Sequence, residues 1–145
     1  MRAAVAAGLL MVACLSTPSV AAAEIGRIKT AGGQATVMTG KASRPATIGL
    51  ELNVSDVLVT GKDGRIGVTF LDNSRFAIGP NSRVALSQFE FDDTTHRGKF
   101  LTTVEKGTVG IESGQIAKEN RDAMKVRTPT SLLAARGTRF VVEVK

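Results

Sequence analysis

His96 is the chain's one histidine, and it lies within Asp92-Asp93-Thr94-Thr95-His96-Arg97. An imidazole beside carboxylates is the arrangement that orients a serine nucleophile for acyl transfer. No G-x-S-x-G elbow or comparable nucleophile motif accompanies it, so the segment is expected to be a solvated polar loop. Asp92 and Asp93 offer oxygen ligands for Ca²⁺, yet the oxygen-rich spacing of an EF-hand loop is missing. Gly61-Lys62-Asp63-Gly64 does not have the G-x-x-x-x-G-K-[ST] spacing that cradles a phosphate. One Cys and one His exclude a disulfide framework within the chain, a cysteine-rich zinc site and a multi-histidine centre. The expectation is a protein that is not an enzyme and needs no cofactor or metal.

The remaining candidates are cationic. Arg127, Arg136 and Arg139 fall in a basic terminal stretch with Arg121, Lys125 and Lys145, against only Asp122 and Glu143. Such a stretch suits an acidic protein surface or an anionic envelope polymer. Nucleic acid is not expected, because no aromatic residues interleave the basic ones as stacking platforms.

The elements that must hold these residues begin after a leader. Of 145 residues and net charge +6, only Arg2 is charged before Glu24. An apolar run over residues 3–15, then Pro18 and Val20-Ala21-Ala22-Ala23, complete the three parts of a secretory signal peptide. Residues 1–23 are therefore expected to be removed, and residues 24–145 to form one exported domain without a membrane span. Met11-Val12-Ala13-Cys14 resembles a lipobox, so a lipoprotein anchored through Cys14 stays open as an alternative to a free periplasmic protein.

After the leader, apolar residues alternate with polar or small ones. Ile66, Val68 and Phe70, then Phe76 and Ile78, Val84 and Leu86, Val109 and Ile111, and Phe140, Val142 and Val144 repeat with period two. That period places each set on one face of a pleated strand. Turn signals recur at short intervals: Gly32-Gly33, Thr39-Gly40-Lys41, Asp72-Asn73-Ser74 and Gly79-Pro80-Asn81-Ser82. An all-β domain of short antiparallel strands and hairpins follows. Residues 65–78 form its clearest hairpin, and residues 114–123 are either a helical turn or two or a polar loop. The six Phe residues all lie at 70 or beyond, so the large core side chains should concentrate there. Ile25, Ile28, Val37, Ile48, Leu50, Leu52, Val57 and Val59 are expected to fill the earlier part of the core.

Four pieces then resemble one known family, the FecR domain. They are Gly26-Arg27-Ile28 with Gly32-Gly33-Gln34-Ala35-Thr36-Val37; Asp56-Val57-Leu58-Val59-Thr60-Gly61; Gly67-Val68-Thr69-Phe70-Leu71-Asp72-Asn73-Ser74 with Gly79-Pro80-Asn81-Ser82; and Thr128-Pro129 with Arg136-Gly137-Thr138-Arg139-Phe140. Ser55 and Asn73 stand where the family usually has Gly, and Ala135 where Val is usual. The resemblance implies a twisted stack of short strands, solenoid-like or sandwich-like, in which these motifs are structural corners. It also implies a periplasmic interaction or sensing role. The regulators of the family carry an anti-sigma segment and a transmembrane helix with no counterpart in this sequence, so their regulatory role is not carried over. The functional expectation is a non-catalytic module that binds an envelope protein or an anionic polymer. A polysaccharide-binding or polysaccharide-acting protein is the alternative.

Overall fold

The structure, a computed structural model, describes residues 23–134 and 139–145. In chain order it has β1 (Glu24–Gly32), β2 (Ala35–Thr39), β3 (Ala42–Pro45), β4 (Glu51–Asn53), β5 (Val57–Thr60), β6 (Arg65–Phe70) and β7 (Arg75–Ile78). There follow β8 (Arg83–Phe91), β9 (Gly98–Glu112), α1 (Gln115–Glu119), β10 (Met124–Arg127), β11 (Leu132–Ala134) and β12 (Arg139–Val144). The all-β expectation holds. The open segment 114–123 supplies a single five-residue helix.

Most strands are halves of longer, bent ones. β9 pairs β8 along its first part, from Phe91↔Gly98 to Arg83↔Lys106, and β7 along its second, from Ile78↔Val109 to Arg75↔Glu112. β7 and β8 are thus one bent strand, closed against β9 by the loop of residues 92–97. β1 with β2, and β6 with β5, repeat the arrangement through Gly32↔Arg65 and Ala35↔Thr60. The result is one sheet creased across its middle. One layer runs β4-β1-β6-β7-β9-β12 and the other β3-β2-β5-β8-β9-β10-β11. Every pairing is antiparallel except β9 with β10.

The two layers curl toward each other into a half-barrel, which resolves the choice between solenoid and sandwich in favour of facing layers. The Phe rings show the closure. Phe70 and Phe76 come from one layer, Phe89 and Phe100 from the other, and the Phe70–Phe100 and Phe76–Phe100 centroids lie 4.7 and 5.5 Å apart. Edge-to-face and offset pairs of this kind add about 0.5–1.5 kcal/mol each beyond area burial. All four rings are buried, as are Ile25, Ile28, Val37 and Leu52 from the earlier strands.

Three expected core positions are corrected. Ile48 is 73% exposed, in the loop before β4. Val57 and Val59 face outward while Leu58 and Thr60 face inward. An apolar run such as Val57-Leu58-Val59 does not reveal its own phase. The phase is set by Asp56 and Thr60, whose side chains are tied to buried hydrogen bonds.

The crease explains the motif residues. Thr60 Oγ1 donates to the Gly79 carbonyl at 2.7 Å and accepts from the Ser82 N–H at 2.9 Å. Ser82 Oγ donates to the Pro80 carbonyl and accepts from the Thr108 N–H, each at 3.1 Å. Asn81, at φ 52, donates its N–H to the Gly61 carbonyl at 2.9 Å. Opposite lies Gly107 at φ 95, where a Cβ would sit 2.1 Å from Ser82 Oγ. Only a residue without Cβ lets β9 cross the bend there.

Candidate functional site

The other motif residues are also structural ties. Asp72 is fully buried in the β6–β7 turn, where Oδ1 accepts the Ser74 N–H and Oδ2 accepts the Ser74 hydroxyl, at 3.0 and 2.7 Å. Ser74 Oγ then accepts the Gly114 N–H at 3.0 Å, which pins the exit of β9. Asn73 supplies the positive φ that the turn requires, 67°. Asp56, likewise buried, accepts from Thr39 Oγ1 at 2.6 Å and the Asn53 N–H at 2.9 Å, with Arg44 Nη2 at 3.7 Å. Thr128 and Pro129 form the β10–β11 turn, closed by Thr128 N–H to the Ser131 carbonyl at 2.8 Å and Ser131 N–H to Thr128 Oγ1 at 3.1 Å.

The loop between β8 and β9 holds His96. Asp92 Oδ1 caps the Thr94 and Thr95 N–H groups, and those bonds hold its carboxyl below the usual carboxylate range. His96 takes a left-handed φ of 59° and stacks on Phe91 at 6.2 Å between centroids. Geometry uses Asp92 and His96 to close a turn. Among the described residues no group of three or more His, Cys, Asp or Glu is placed to hold a metal ion. No helix among them is long and apolar enough to cross a membrane.

The cationic candidates separate. Arg127 lies on β10 and lines a groove of about 400 Å³ with Lys99, Lys125, Gln88, Asn120 and Asp122. Arg139 lies on β12 in the other layer and lines a different, largely apolar groove of about 380 Å³ with Arg75, Ala77, Glu112 and Val141. Its Nε is 3.6 Å from Glu112 Oε2. Arg136, Gly137 and Thr138 lie outside the described residues, as do Cys14 and the leader through residue 22.

The composition gave no hint of the surface that topology makes most distinctive. Four strands each have one side without a partner strand among the described residues: β3, β4, β11 and β12. Natural edges are blunted by brevity, proline or charge. β3 ends on Pro45 and carries Arg44, while β4 and β11 have three residues each. β12 has six, without proline, and pairs only β9 among the described residues. Its Val141 is 69% exposed. Beside this edge an opening of about 530 Å³ lies between β12 and residues 128–133, lined by Leu133, Phe140, Val142 and Val144. The signal was present in the alternation of Phe140, Val142 and Val144, but whether a strand has a neighbour on both sides depends on residues far along the chain.

Comparison with known families finds one match, to FecR protein, over residues 56–145. No curated protein and no solved structure matches the chain. The matched range contains the Asp56 corner, the Asp72-Asn73-Ser74 turn, the crease at Gly79–Ser82 and the open strand β12, while β1–β4 precede it and complete the same sheet. Spanning more than half of the chain, the match shows that this protein belongs to the FecR family.

Proposed function

We propose that the chain is an exported, non-catalytic interaction module of the bacterial cell envelope, and that its working surface is the open edge of β12. The observation that carries the reading is the six-residue unpaired edge, the longest of the four and free of proline. An extended segment of a partner adds to such an edge through main-chain hydrogen bonds, while alternate side chains set specificity. The apolar groove around Val141 and the opening beside Phe140 are where those side chains would rest. Family membership supports a periplasmic signalling or sensing role. The leader-like start supports export.

The test is site-specific photo-crosslinking in cells. A photoreactive residue at position 141 should give discrete adducts with an envelope protein or a second copy. The same group at position 41, in the turn between β2 and β3, should give none. Absence of any discrete adduct from 141, or the same set from both positions, would overturn the reading.

A further inference from the structure

We infer that the β12 edge is self-complementary and that its occupant is a second copy of this chain, paired antiparallel about a two-fold axis through Val141. The inference rests on the reading of β12 as the working edge and names its partner.

The register of the strand decides the pairing. β12 reads Arg139-Phe140-Val141-Val142-Glu143-Val144. Phe140, Val142 and Val144 lie on its inner face, and Arg139, Val141 and Glu143 on its outer face. Antiparallel pairing centred on Val141 sets it opposite its own copy. It also sets Arg139 of each copy opposite Glu143 of the other, twice by symmetry. Cross-strand neighbours at this separation interact, favourably when charges are opposite and unfavourably when alike. Centring on Val142 sets Arg139 opposite Lys145, two like charges. Centring between the two valines sets Arg139 opposite Val144 and leaves Glu143 opposite Phe140. Only the Val141 register pairs every charge on the strand with its opposite.

The surrounding sheet extends the complementarity. Across the outer face Arg75 pairs Glu112, and Glu112 pairs Arg139. Glu143 of a second copy would continue that row as plus, minus, plus, minus. Among the described residues Glu143 has no ion-pair partner of its own. Arg139 has only the 3.6 Å contact to Glu112, with its side chain 80% exposed. Val141, the most exposed large apolar residue of the sheet strands, would be covered by its equivalent. On the inner face Phe140 would meet Val142 of the second copy, over the opening between β12 and residues 128–133. An interface in which one patch faces itself is the isologous arrangement that closes at two subunits and leaves no further edge on β12.

The test uses charge reversal with the full chain purified after export. Sedimentation equilibrium should show a dimer for the wild type. R139E and E143R should each weaken it about tenfold or more, because each places like charges opposite one another at two symmetric sites. The double variant R139E/E143R should recover the wild-type dissociation constant. An equimolar mixture of the two single variants should form a heterodimer, since the edge carrying two acidic groups then faces the edge carrying two basic ones. Recovery on mixing also shows that neither single variant lost its fold. A wild type that stays monomeric at about 100 μM, near the weak end of specific association, would overturn the inference. So would a dimer indifferent to both reversals, or a mixture no tighter than its components. A monomeric wild type that still gives crosslinks from position 141 to another envelope protein would overturn the self-pairing alone. Absence of both would remove the edge reading as well.

Discussion

Ser55 sits at φ 75, a left-handed conformation that a side chain with Cβ adopts at a cost of about 1–2 kcal/mol. Its N–H donates to the Leu86 carbonyl at 2.8 Å, so the backbone is held there whatever the side chain. This accounts for the glycine usual at the position in the family pattern. Replacing Ser55 with Gly removes the strain, and the greater unfolded-state entropy of glycine offsets part of that gain. Ser55→Gly should therefore stabilise the protein by up to about 1 kcal/mol, seen as a higher urea midpoint at unchanged slope. Asn73→Gly, at a similar φ of 67°, should change stability by less than about half as much, because asparagine tolerates this conformation. Equal gains at both positions would show that φ alone does not explain the departures from the pattern. The same scale accounts for the polar motif residues. Asp56, Thr60, Asp72, Ser74 and Ser82 are all buried and hydrogen-bonded, so they hold corners and are closed to a ligand.

At the scale of elements, the crease is the organising feature. β9 runs unbroken through both layers and must bend at Gly107, against Ser82. Gly107→Ala adds a Cβ both where space is missing and where φ is 95°, so it should destabilise by about 2–4 kcal/mol in urea unfolding. A change under about 0.5 kcal/mol would mean that the bend does not depend on this contact. Much of this level was legible in the sequence. The 65–78 hairpin, the turn at Asn73 and the alternation in β6, β7, β8 and β12 all follow from period two and turn chemistry. The pairing of β7 and β8 with one long strand was not, because residues 98–108 mix Lys, Thr, Glu and Gly with the apolar residues. The phase of Val57-Leu58-Val59 was hidden for the complementary reason that every position was apolar. Arg127 and Arg139 are only twelve positions apart in sequence. They line separate grooves because β10 joins one layer and β12 the other.

For the whole molecule, the curled sheet leaves its longest unpaired margin at β12, and the proposed function depends on that margin. Strand addition explains why a domain with its polar motifs spent on corners would still engage a partner, since an edge needs no dedicated polar site. The most direct measurement is residue-resolved amide exchange across Arg139–Val144. In a dilute sample, the alternate amides bonded to β9 should be protected while the intervening ones exchange nearly freely. Raising the protein concentration, or adding envelope extract, should then protect that second set. Equal protection of all six amides at dilution would contradict the account, and so would an outward set that no concentration or extract slows.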